Sequence, residues 1–269
     1  MAALDALRDG DLDQALAELQ QEIRRSPADA SLRVFLFQLL TVQGQWDRAL
    51  VQLNTAAELD PIALAMAQMY REALRCEVFR ADVFAGKRSP LIFGEPPAWI
   101  GWLVEALRLT AENRHDAAGE LRDRAFEAAP ATAGTIDEQP FEWIADADPR
   151  MGPVLEAIVA GRYFWIPVQN INSIRLEPPT DLRDVVWMPA QFTWSNGGDA
   201  VGLIPTRYPG SEHSTDPLVR LARKTQWIDA GGGQLGLGQR MLATDKDDFP
   251  LLDIRQIECG VQDGRTDGS

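Results

Sequence analysis

Histidine and cysteine are scarce in this chain, with two of each in 269 residues. The cysteines, Cys76 and Cys259, stand far apart and outside any C-x-x-C spacing, which excludes a disulfide framework and a zinc site and fits buried thiols in a reducing compartment. His115 and His213 are the only imidazoles available to activate a nucleophile. His115 opens a helical segment, His213 lies in a polar loop beside Ser211 and Glu212, and neither has a G-x-S-x-G elbow nearby, so a hydrolase is disfavoured. Basic residues are short too: 26 Lys and Arg face 40 Asp and Glu, a formal net charge of -14. Such a balance argues against nucleic acid and anionic membrane as partners, because both are held by clustered cations. No run approaches the roughly 20 apolar residues of a membrane span. The first 25 residues, with Asp5, Arg8, Asp9, Asp11, Asp13 and Glu18, leave no room for a signal-peptide core, and the expected location is cytoplasmic.

What the sequence does contain is 45% apolar and 25% charged residues, an ordinary globular composition, and an internal repeat. The segment from Gly10 to Pro27 recurs at an offset of 34: Gly10 matches Gly44, Asp13 Asp47, Ala15 Ala49, Leu16 Leu50, Leu19 Leu53 and Pro27 Pro61, with Trp46 in place of Leu12. Glycine suits a left-handed helix end, alanine a close helix crossing, and proline a helix stop. Apolar residues step by three or four through Leu12, Ala15, Leu16, Leu19, Ile23 and again through Trp46, Ala49, Leu50, Leu53, Ala57, predicting two amphipathic helices. Between them Asp29 to Gln43 reads as an inner helix, and Ile62 to Phe84 as a long one. Gly86 to Pro97 cannot be helix; Ala98 to Asn113 and Asp116 to Ala129 then form another hairpin, in which Asn113, Ala118 and Pro130 match Gly44, Ala49 and Pro61 at an offset of 69.

Beyond Ala131 the signals change to strands. A short helix is expected over residues 153–160, then strands at 163–168, 184–194 and 200–205, the last two joined by the turn Asn196-Gly197-Gly198, and further strands at 225–228, 237–243 and 249–257. The fold class expected is therefore a tetratricopeptide-like α-solenoid over residues 1–135, followed by a small, mainly antiparallel, partly open barrel-like β-rich domain with a leading helix over 136–259. A disordered tail is expected over 260–269.

Helical repeat arrays bind peptides and helices on their inner face. Val34, Gln38 and Thr41 should there align with Gln68, Glu72 and Arg75 on the next inner helix, and these six are the candidate partner-binding residues. No catalytic, cofactor or metal site is expected. The glycine-rich run 231–240 could cradle a phosphate with help from Arg240, but it lacks the Gly-Lys-Ser/Thr ending and a following helix, and a tight crossover between strands is the better reading. The acidic turn Asp245 to Asp248 departs from calcium-loop spacing. Most of Trp99, Trp102, Trp143, Trp165, Trp187, Trp194 and Trp227 should be core.

Three C-terminal runs, Glu177 to Trp194 (EPPTDLRDVVWMPAQFTW), Leu235 to Arg240 (LGLGQR) and Phe249 to Glu258 (FPLLDIRQIE), resemble those of the ImpE/TagJ (also SciE) family of bacterial type VI secretion accessory proteins, and the likeness extends over residues 1–259. The resemblance implies a repeat domain joined to a β-rich domain and no enzymatic activity. It further implies association with the contractile sheath through the small subunit TssB, and a link to sheath recycling by the ClpV unfoldase. Beside that reading stand a generic repeat adaptor or chaperone with another client and, less favoured, a phosphate-ligand enzyme using the 231–240 loop.

Overall fold

The computed structural model describes residues 2–230 and 233–260. Helices α1 (Ala2–Arg8), α2 (Leu12–Arg25), α3 (Ala30–Val42), α4 (Trp46–Leu59) and α5 (Leu64–Phe84) come first. A two-residue strand β1 (Leu91–Ile92) then precedes α6 (Ala98–Ala111) and α7 (His115–Ala128). Aspartates start several helices by accepting orphan amide protons: Asp11 from Gln14 N at 2.8 Å, and Asp29 from Ser31 N at 2.9 Å. The ends repeat as well. Gly10, Gly44 and Asn113 have φ of 83°, 67° and 60°, and in each case the next amide donates five residues back, from Asp11 to Ala6 O, Gln45 to Leu40 O and Arg114 to Leu109 O. This left-handed terminus is what the glycine spacing requires, and Asn113 shows that the copy at offset 69 keeps it. Ala15, Ala49 and Ala118 are fully buried at the helix crossings.

The second half is built of strands β2 (Gly134–Ile136), β3 (Gln139–Phe141), β4 (Ile144–Asp146), β5 (Val154–Val159), β6 (Arg162–Pro167), β7 (Ile171–Leu176), β8 (Trp187–Trp194) and β9 (Asp199–Pro205). A one-turn helix α8 (Pro217–Arg220) is followed by β10 (Thr225–Asp229), β11 (Gln234–Gly238), β12 (Met241–Thr244), β13 (Asp248–Pro250) and β14 (Gln256–Cys259). Nine of these strands form one open sheet in the order β1-β6-β5-β9-β8-β7-β14-β2-β3, in which only β1 and β6 are parallel. A three-stranded sheet β13-β12-β4 and a ribbon β10-β11 complete the region. The sheet is not closed into a barrel.

Residues 153–160 correct the sequence reading: the expected leading helix is the strand β5. All six of its residues are buried, because helices cover one face of the sheet and the small sheet covers the other. A strand buried on both sides loses the period-two alternation that identifies strands in sequence. The expected strand 237–243 is likewise two strands, broken at Gln239 and Arg240, and 249–257 contains a 3-10 turn at Leu251–Asp253. Of the glycine-rich run, Gly231 and Gly232 lie outside the described residues, as does the tail from residue 261.

Candidate functional site

The helices and the nine-stranded sheet share one core. Phe37, Leu40, Tyr70 and Val83 pack in the same cluster as Val154, Ile158, Trp165, Trp187 and Leu203. The surface of the array that meets the sheet belongs to α3 and α5, the inner helices, so the chain's own second half occupies much of the expected partner groove. The turn Leu182–Val185 packs on α3, and Trp187 lies against Tyr70 and Trp46 with ring centroids 5.7 and 6.0 Å apart.

The six candidate residues divide accordingly. Gln38 is 6% exposed and donates to Asp181 Oδ1 at 3.3 Å; Thr41 is fully buried and donates to Gln38 O. Both are closed to a partner by the chain itself. Val34 is half-buried. Gln68 and Arg75 are exposed on α5, and Glu72 is half-buried, paired with Arg75 at 2.7 Å and set against Gly161. The structure brings Gln68, Glu72 and Arg75 together on one accessible surface and separates them from Gln38 and Thr41.

Two arginines of the second half read the repeat. Arg223 donates to Arg8 O at 2.9 Å and Leu7 O at 3.2 Å, at the end of α1. Arg207 donates to Val42 O at 2.9 Å and Thr41 O at 3.3 Å, at the end of α3. Leu7 and Arg8 are the counterparts, 34 residues earlier, of Thr41 and Val42. Cations at helix C-termini satisfy orphan carbonyls and complement the dipole. Burial pulls Arg207 down to about 10, still charged at neutral pH.

A buried ionic chain crosses the same seam. Arg80 of α5 forks onto Glu156 of β5 at 2.6 and 2.9 Å and donates to Arg207 O at 2.8 Å. Glu156 also receives Tyr163 and Arg240, and Arg240 reaches on to Asp146. Beside it Glu77 accepts Trp187 Nε1 at 2.9 Å. Burial alone raises Glu156, but Arg80 and Arg240 outweigh it and hold the carboxyl near about 2. Asp146 is pushed up to about 6 by burial against the opposing pull of Arg240. Arg240 is fully buried and committed to these carboxylates, so the phosphate-loop reading loses the cation it invoked. His213, with its side chain 80% exposed, has only Glu212 beside it at 3.5 Å. Of these seam residues the sequence pointed only to Trp187, as core, and to Arg240, in its rejected role; isolated Arg and Glu in apolar strands and helices are the remaining signal.

A helical repeat array seated on a large, mainly antiparallel sheet, with the buried charges between them paired, is the build of a repeat-containing scaffold. The comparisons with known proteins narrow this class. A tetratricopeptide repeat profile matches residues 6–71, and a profile described as ImpE protein matches residues 138–258. Over 258 residues the chain is 50% identical to the type VI secretion system accessory component TagJ of Pseudomonas aeruginosa, covering 96% of this chain and 91% of that one. The crystal structure of protein VPA1032 from Vibrio parahaemolyticus superposes with a TM-score of 0.88 at 27% identity, covering 98% of each chain. The chain belongs to the ImpE/TagJ family of type VI secretion accessory proteins.

Proposed function

We propose that this protein is a non-enzymatic, cytoplasmic adaptor of the type VI secretion system that binds a helix of the small sheath subunit TssB and assists recycling of the sheath by ClpV. The observation that carries the reading is the 50% identity to the accessory component TagJ across 96% of the chain, together with a repeat array of the kind that holds helices. The accessible part of the candidate surface is Gln68, Glu72 and Arg75 on α5. Exposed Ile62, Leu64 and Met69 continue it along the start of α5 and supply apolar contact. Gln38 is better left unchanged in any test, because a carboxylate there would face Asp181.

The test is isothermal titration of the full chain with peptides covering the TssB helices, repeated with Met69→Ala and with Arg75→Glu combined with Gln68→Ala, each variant checked by circular dichroism. Binding that weakens about fivefold or more in these variants supports the site. Full-strength binding by both moves the site off α5, and no binding of any TssB peptide by the wild-type chain removes the sheath reading.

A further inference from the structure

Where the helical array gives way to the strands, a groove of 430 Å³ opens on the outer face of the three-stranded sheet, far in sequence from the α5 surface. Its floor is made of small side chains, Ala145 of β4 and Ala243 of β12, which lie directly opposite one another in the ladder. One wall is Phe126 at the end of α7, whose ring sits where any Cβ on Gly152 would fall, 2.2 Å away. Gly152 has φ 52°, so backbone and packing both hold that wall in place. Trp143 stands at the rim, 40% exposed. An indole left half in water beside an apolar trough is the arrangement of an interface anchor.

The rim is acidic. Asp248 continues the Ala145–Ala243 row onto β13, and on α7 Asp123 and Glu127 stand one turn before Phe126 and Pro130. All three carboxylates are exposed; Glu127 and Asp248 form no salt bridge among the described residues, and Asp123 has the charge of Arg122 beside it. No lysine or arginine lines the groove. The nearby cations are engaged, Lys246 by Asp245 at 2.7 Å and Arg124 over the Trp102 ring at 3.9 Å from its centroid. The walls also carry Pro130, Pro149 and Pro153, which have no amide proton to offer a strand. That favours recognition by side chains over addition of a β-strand.

We propose that this groove is a second protein-binding site, independent of the α5 surface, and that its occupant is a basic amphipathic helix of a partner protein. The helix lays its apolar face over Trp143 and the alanine floor and its lysines or arginines against Asp123, Glu127 and Asp248. Opposite charge across the rim sets orientation and on-rate, while the apolar contact sets residence.

The probe is a fluorescein-labelled lysine–leucine peptide of about five helical turns, with leucines at i, i+3, i+4 and i+7, beside the same peptide with glutamate for lysine. Anisotropy titrations use the full chain at several salt concentrations. The lysine peptide binds and the glutamate peptide does not. Trp143→Ala and the groove-filling Ala243→Phe each raise its Kd about tenfold or more. Glu127→Lys with Asp248→Lys weakens binding and flattens its salt dependence, while Arg75→Glu leaves it unchanged. Circular dichroism and thermal midpoints confirm that each variant folds, and Trp143→Ala, at a half-exposed position, is the variant kept if Ala243→Phe does not. Equal binding by Trp143→Ala overturns the proposal, as does equal binding of the glutamate peptide. Loss of binding in Arg75→Glu alone would place the peptide on α5, which leaves the sheath-adaptor reading standing and removes this one.

Discussion

Around β5 the nine-stranded sheet is buried on both faces, yet the two faces are made of different materials. Toward the small sheet, Leu155, Ala157, Ile166, Met188, Ala190 and Phe192 form an apolar core, with the buried Asp146–Arg240 pair beside it. Toward the helices, Glu156, Tyr163 and Trp187 sit among apolar neighbours and meet Glu77 and Arg80 in hydrogen bonds with fixed partners. Apolar burial rewards area without regard to angle, whereas a forked Arg–carboxylate contact is satisfied in one orientation. The array is thus seated on a face with a geometry to match, and the small sheet on a mostly apolar face with Arg240 as its one ionic link to Glu156 among the described residues.

That contrast can be tested most severely by removing the patterned face altogether. Residues 1–135 expressed alone should give a helical far-ultraviolet spectrum, since the hairpins pack on each other, but a much lower and broader thermal transition than the whole chain, since Phe37, Tyr70 and Val83 lose their cover. A fragment melting as high as the full protein would show that the sheet contributes nothing to the array. Next in size is Arg240→Ala, which strands Asp146 and Glu156 in the interior and should cost about 3–5 kcal/mol in urea unfolding. A loss under about 1 kcal/mol would mean the ionic chain is not maintained in solution.

A pH series gives a subtler readout with a definite sign. Asp146 is raised from 3.8 to about 6, so the folded chain binds its proton more tightly than the unfolded chain does, and stability should rise as pH falls from about 6 toward 4. Glu77, also raised by burial, acts in the same direction. Glu156 is lowered from 4.5 to about 2, so its contribution is whole above about 4.5 and disappears as pH falls toward 2. The thermal midpoint should therefore peak near pH 4 to 5; a steady decline from pH 7 downward would contradict the assignment. Smallest of all, Ile166→Val on the mostly apolar face should cost only about 0.5–1.5 kcal/mol and leave the pH profile unchanged, as thermal melts can show.

The repeat was legible in the sequence because its positions answer to local rules: Gly10 and Gly44 to the left-handed helix end, Ala15 and Ala49 to the crossing. The hairpin at Gly197 was legible for the same reason. What stayed hidden depends on partners far along the chain. Val154 to Val159 carries no alternation once both faces are covered, and nothing near Gln38 announces Asp181, 143 residues away. Arg207 and Arg223 look like ordinary loop arginines until the helix ends they cap are in view. The sequence aligned Gln68, Glu72 and Arg75 with Gln38 and Thr41 in one groove without showing that the chain's own second half covers the latter two, and the groove beside Trp143 needs α7, β4 and β12 assembled before it exists.

A helical repeat array open on its inner side behaves as a spring, whose pitch changes as each hairpin tilts slightly on the next. Here Arg223, just before the β10-β11 ribbon, and Arg207, just past β9, hold the ends of α1 and α3, and Arg80 rivets α5 to β5. Three successive inner helices are fastened to the second half of the chain, so the curvature of the array is set by what it is seated on. A partner meets a surface of fixed shape, and little of its binding energy is lost in ordering the receptor.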